Sequence, residues 1–261
     1  MKKRIGSMIV PTVAVITFFV LWHYAVTWFQ VPSYLLPTPK TVIEAFVDGY
    51  SSGRYWPHLL ATLTEMVLGY LIGCTIALIM GALVAEWNLL ERIVYPFVVA
   101  LQSVPKVALA PLLIVWFGFG LSSKVVLVAL ICFFPVFINS TTGFKSSDPN
   151  LLRLYRAYKA SRKTIFLNVK LPSAAESIFA GLQIAVVLAL IGAVVGEFIS
   201  ARAGLGFLIQ SSTLNFDVST MFAAIVSLSI IGVTFTFVLR KLQNLIVHWK
   251  DPVDRQVISN H

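Results

Sequence analysis

The chain has 261 residues, 58% of them hydrophobic and only 12% charged, with a formal net charge of +9. A water-soluble domain has no way to hide that much apolar surface, and the lysines and arginines stand between long apolar runs instead of forming a basic stripe, which excludes a nucleic-acid-binding domain. A bilayer-spanning helix needs about 20 mostly apolar residues, and six such runs occur, so the fold class is an all-α membrane protein.

The first run, residues 8–29, follows Met1-Lys2-Lys3-Arg4, which looks like the charged start of a signal peptide. It is too long for one, ends in Trp22, Trp28 and Phe29, and lacks a small-residue cleavage site, so it reads as a retained helix. In the outer segment 30–57, Thr38-Pro39 supplies a cap and first-turn proline. Val42, Ile43, Phe46 and Val47 then share one face of a short surface helix.

The second run, 58–85, carries Gly69, Gly73, Ala77, Gly81 and Ala85 at every fourth position, a stripe that lets another backbone approach closely. Glu65 lies in its upper part, where the helix dipole favours a carboxylate. The third run, 95–117, is interrupted by Pro105 and Pro111, each of which removes an intrahelical hydrogen bond. Broken helices are tolerated in membranes where they border protein or a water-filled cavity, so this run is a candidate for lining a pathway.

Lys106 falls between the two prolines. An ionisable group at depth costs at least about 2.5 kcal/mol and needs a partner or a polar cavity; Lys106 either faces a pathway, favouring an anionic solute, or snorkels to an interface or pairs with a neighbouring carbonyl. The fourth run is 124–142. The fifth, 174–199, holds Gly192 and Gly196 as a second small pair, Gln183 as hydrogen-bonding glue or pathway residue, and Glu197 near its outer end as a gate residue or interface partner of Arg202. The sixth is 219–239. Cys74 and Cys132 lie inside runs and read as small hydrophobes without a disulfide.

With the N-terminus inside, fifteen lysines and arginines fall on cytoplasmic segments and four (Lys40, Arg54, Lys124 and Arg202) on outer ones. That bias places both termini in the cytoplasm. The longest inner segment, 144–172, begins a helix at Asp148-Pro149 and another at Ser161, and Pro172 marks the boundary with the fifth run. Arg153, Arg156, Lys159, Arg162 and Lys163 interleave with Leu151, Leu152, Leu154, Tyr155 and Tyr158. Such a helical pair either lies on anionic lipid or docks into a partner's groove.

Catalytic readings fail. Gly49-Tyr50-Ser51-Ser52-Gly53 fits the nucleophile-elbow pattern but lacks the strand before and helix after that this chemistry needs. The chain has no Gly-x-x-x-x-Gly-Lys-Ser/Thr phosphate loop and no metal-ligand spacing among its four histidines and two cysteines. No catalytic residue, metal or cofactor is assigned to it.

The stretch Ala160-Ser161-Arg162-Lys163-Thr164-Ile165-Phe166-Leu167-Asn168-Val169-Lys170-Leu171-Pro172 resembles the second half of the so-called EAA loop of type I binding-protein-dependent ABC importer permeases. Leu36-Pro37-Thr38-Pro39, Trp56-Pro57-His58-Leu59, Val104-Pro105-Lys106, Pro111-Leu112-Leu113-Ile114-Val115-Trp116-Phe117-Gly118, Phe134-Pro135-Val136-Phe137 and Gly204-Leu205-Gly206-Phe207 match the nitrate/sulfonate/taurine branch in the family's order. The family's glutamate, two alanines and glycine in the loop correspond here to Arg153, Leu154, Tyr155 and Lys159, so the first half of the motif is degenerate.

The resemblance implies the MetI-like permease fold with six spanning helices, a membrane domain at 58–242 after an N-terminal helix and elbow at 1–57, and a cytoplasmic tail at 243–261. It implies a coupling helix whose contacts are Ala157, Tyr158, Lys159, Ala160, Ser161 and Arg162, and partners in the form of an ATPase dimer holding ATP and magnesium, a periplasmic or lipid-anchored solute-binding protein and a second permease copy. The location is the bacterial inner membrane. The solute is a small anion such as nitrate, a sulfonate, taurine or an organic acid, with a thiamine-type pyrimidine precursor as the alternative; a passive channel or an intramembrane enzyme is the remote one.

Overall fold

The computed structural model describes the backbone of residues 2–248 and the side chains of residues 12–248, so most of the expected tail at 243–261 lies outside the described residues. Among the described residues every regular element is helical, as required where lipid offers the backbone no hydrogen-bond partner. In chain order these are α1 (Lys2–Trp28), α2 (Pro39–Ser51), α3 (Trp56–Glu86), α4 (Asn88–Gln102), α5 (Ala110–Phe117), α6 (Leu121–Lys145), α7 (Pro149–Ala157), α8 (Arg162–Ile165), α9 (Leu171–Ser200), α10 (Leu205–Leu214) and α11 (Val218–Ile246).

Four stretches are long and apolar enough to cross a membrane: α3, α6, the continuous run Arg162–Ser200, and α11. The third expected run is a broken pair, α4 and the segment Lys106–Phe117, bent by 88°. The first is helical in α1, whose described apolar part is Thr12–Trp28. The bend falls at Pro105, as its missing N–H dictates, whereas Pro111 sits in the first turn of α5, where no N–H is needed.

The expected boundary at Pro172 is corrected. The chain stays helical from Arg162 to Ser200, passing through one π-helical turn at Phe166–Lys170. Proline clashes with the preceding turn and withholds a donor; the wider π turn just before it accommodates both without a break.

The chain divides into two compact units, one of residues 1–61 and 202–229, the other of residues 62–201 and 230–261. In the first, α2 is capped by Thr38, whose Oγ1 accepts from the Thr41 N–H at 3.3 Å. The four apolar residues of α2 do not share one fate: Val42 is buried, while Ile43 and Val47 are exposed. Gly49 lies beneath the Tyr55 ring, so close that a Cβ would meet it at 2.2 Å. The Tyr50 hydroxyl bonds Ser227 at 2.9 Å, and Trp22 packs on Phe222 with centroids 5.7 Å apart.

The second unit is built around α6. Lipid is as apolar as leucine, so spanning helices are held by close packing and not by the hydrophobic effect. Small residues allow that approach on both sides of α6. From α3, a Cβ on Gly69 would meet Val128 at 2.5 Å and one on Gly73 would meet the Ala129 carbonyl oxygen at 2.3 Å; Ala77 is fully buried and Gly81 sits against Ser140. From α9, Gly181 backs onto Pro135 and Val136, Gly192 onto Ile131, and Gly196 onto Lys124. Ala110 and Leu113 of the α5 segment complete a cluster with Leu127 and Ile131 of α6.

Candidate functional site

The segment 144–172 forms a helical hairpin. Asp148 caps α7 by accepting from the Asn150 N–H at 2.8 Å, and Ser161 caps α8 by accepting from the Thr164 N–H at 3.2 Å. Between them α7 ends in a Schellman motif: the Ala160 N–H donates to the Tyr155 carbonyl at 3.0 Å and the Lys159 N–H to the Arg156 carbonyl at 2.9 Å. The motif puts Lys159 in the left-handed region, φ 54°. The family resemblance places a glycine at this position, and the geometry gives the reason, since a side chain here costs about 1 kcal/mol.

Ala157, Tyr158, Lys159, Ser161 and Arg162 are exposed at the tip, Tyr158 to 80%, and Ala160 is half-buried. No residue of α7 is buried. Leu151 and Leu154 are exposed beside Arg153 and Arg156, an apolar and basic surface ready for a partner.

The root of the hairpin, in contrast, is anchored. Phe166 stacks on Phe144 with centroids 5.2 Å apart and joins a buried cluster with Ala174 and Ile178. Lys170 pairs with Glu86 at the end of α3, and Lys145 at the end of α6 pairs with Glu91 of α4. A groove of about 990 Å³ runs beside it, walled by Glu86, Trp87, Leu89, Arg156, Ala160 and Lys170. Because α8 continues into α9 without a break, a displacement at the tip reaches the bundle through one helix.

Lys106 caps the break in the third span. Its ammonium donates to the Gln102 carbonyl, which the bend deprives of a helical partner, and lies 4.6 Å from the centroid of Phe134. It also lines a cavity of about 340 Å³ with Gln102, Phe134, Asn139, Ile184 and Leu188. The pairing with a neighbouring carbonyl, one of the settings expected for Lys106, occurs.

Gln183 and Glu197 both make contacts inside the helical bundle. Gln183 Nε2 donates to Gln243 Oε1 at 2.7 Å, joining α9 to α11. Glu197 is fully buried and accepts from Thr62 Oγ1 at 2.6 Å, while Arg202 is exposed. Lys124, counted among the outer charges, is buried in an ion pair with Glu65. From the sequence Glu65, Lys124 and Glu197 were read separately and Thr62 was not singled out; the usable signal was that three ionisable groups stand inside or at the edge of apolar runs.

The family described as binding-protein-dependent transport system inner membrane component matches residues 73–249. The chain is 34% identical over 95% of its length to the formylaminopyrimidine transport permease protein ThiX of Halalkalibacterium halodurans, covering 98% of that protein. It is 37% identical over 91% of its length to the riboflavin transport system permease protein RibX of Chloroflexus aurantiacus, covering 89% of that one. The putative aliphatic sulfonates transport permease protein SsuC of Bacillus subtilis is 30% identical over 96% of the chain and 90% of its own length. Among solved structures, the MetNI methionine ABC transporter in inward-facing conformations superposes with a TM-score of 0.62 at 20% identity, over 73% of this chain and 93% of that one.

Proposed function

The chain belongs to the binding-protein-dependent transport system inner membrane component family, the permease subunits of ABC importers, and from that premise we propose how its own residues do the work. The α7–α8 hairpin is the handle gripped by separate ATPase subunits, which hold the ATP and magnesium, with Ala157, Tyr158, Lys159, Ala160, Ser161 and Arg162 at the contact. The observation that carries this is the continuity of the helix from Arg162 to Ser200: an unbroken helix transmits displacement where a loop would absorb it. Two copies of the chain pack about a two-fold axis, and a solute-binding protein docks on the outer face. ATP binding favours the outward-open arrangement and hydrolysis the inward-open one. Both termini face the cytoplasm, by the excess of basic residues on that side.

In proteoliposomes containing this chain, its ATPase and its binding protein, solute accumulates only when ATP is supplied inside the ATPase-bearing compartment. Uptake at an undiminished rate from vesicles lacking the ATPase would remove the basis of this reading.

The cavity beside Lys106 supports a small anionic solute. A second reading, a thiamine-type pyrimidine precursor, is favoured by the 34% identity to the formylaminopyrimidine permease, against 30% to the sulfonate one. Lys106→Met separates them. Anion uptake falls about tenfold, or ~1.4 kcal/mol, with Lys106→Arg retaining most of it; uptake of a neutral pyrimidine is unchanged. Transport of an anion at full rate by Lys106→Met would show that this cation has no part in solute passage.

A further inference from the structure

Inside the bundle, Thr62 and Glu65 of α3, Lys124 of α6 and Glu197 of α9 meet in one polar cluster. Their exposures are 0%, 2%, 7% and 0%. The Lys124 ammonium donates to Glu65 Oε1, Thr62 Oγ1 donates to Glu197 Oε1 at 2.6 Å, and the Glu197 carboxyl lies within hydrogen-bonding reach of Glu65. Glu65 Oε2, in contrast, is buried with no donor among the described residues.

A buried acceptor without a donor loses its hydration and gains nothing, a penalty of about 1–3 kcal/mol that is larger for a charged group. Here a polar neighbour from α9, Glu197, is itself a carboxyl, so two acceptors of like charge face each other. Two carboxylates at such a separation do not both stay ionised. A single proton resolves both conflicts. It turns one acceptor into a donor, gives the orphaned oxygen a partner, and leaves one carboxylate to balance one ammonium. Lys124 from α6 and Thr62 from α3 bond to the pair, and the buried charged side chains of the described residues are Glu65, Lys124 and Glu197 alone.

We propose that Glu65 and Glu197 hold one proton between them, making the cluster a buried proton-binding site that ties α3, α6 and α9 together through an acid, a carboxylate and an ammonium. The proton belongs to the pair and not to either residue. It comes from water and no bond other than O–H is made. The site is independent of solute identity and of the coupling reading above.

The test is infrared difference spectroscopy on the full chain in lipid nanodiscs, wild type minus Glu65→Gln and wild type minus Glu197→Gln. Each amide is the neutral isostere of the acid and leaves one carboxylate opposite Lys124, so both variants assemble. The expected result is a carbonyl-stretch band of a protonated carboxylic acid, shifted in deuterium oxide, present in the wild type and missing from at least one variant. A wild type without that band in either difference overturns the proposal. So does failure of both variants to fold, since neither would then tolerate the neutral group the proposal places there.

Discussion

Replacing Ala160 and Ser161 together with glutamate abolishes ATP-driven uptake while leaving the chain folded in the membrane. Two effects separate cleanly. Glutamate at 161 removes the hydroxyl that accepts from the Thr164 N–H at 3.2 Å. Losing a helix cap costs about 1 kcal/mol, too little to unfold a bundle whose burial α7 does not contribute to, since no residue of α7 is buried. The larger effect lies at the partner's surface. The tip presents Arg156, Lys159, Arg162 and Lys163, and on the proposed coupling the groove it enters is complementary in charge. Two new carboxylates meeting a groove of that charge are repelled by several kcal/mol, so the expected ATPase affinity falls at least about a hundredfold, at ~1.4 kcal/mol per factor of ten. Retention of the ATPase on the purified chain and uptake in proteoliposomes measure the two consequences, and Ser161→Ala isolates the cap. Normal uptake by the double variant would move the handle elsewhere.

Gly73→Ala is the second large effect, and it acts on folding. A single methyl there would sit 2.3 Å from the Ala129 carbonyl oxygen and 2.8 Å from its Cα. Both are backbone atoms of α6, so no rotamer change relieves the clash and the two helices must separate. Overpacking of a close-packed interior costs about 1–3 kcal/mol and sometimes more, and here the separation also loosens the neighbouring contacts at Gly69 and Gly81, which approach the same helix. The variant loses thermal stability in detergent and yields less folded protein. Gly232→Ala is the matched control. Its Cβ would meet only Leu190 Cδ2, at 3.4 Å, an ordinary contact, and stability stays near that of the parent. If both variants melt alike, close approach at Gly73 is not what holds α3 to α6.

Much of the site follows from local chemistry. Asp148 and Ser161 announce their helices because a short acceptor side chain at a helix start satisfies orphan N–H groups. Pro105 announces the break. Lys159 is a subtler case. Nothing in a lysine signals a left-handed residue, and only the comparison with the family's glycine marks the position. Pro172 misled, because a proline normally ends a helix and a π turn upstream of it is invisible to a reading of turn formers.

By itself the sequence determined that this chain crosses a membrane several times, that small residues line two of its helices, and that a basic helical pair lies between two of its spans. These are statements about composition and spacing along one strand of chain, and hydrophobic period and helix capping act over a few residues. Only the tertiary structure decided which charges meet. Glu65 and Lys124 are 59 residues apart and Thr62 and Glu197 are 135 apart, so their pairing depends on which faces of α3, α6 and α9 turn toward one another. The bundle's packing fixes those rotations, and in a medium that cannot solvate a lone charge that packing turns a lysine counted among the outer charges and two glutamates read separately into one cluster.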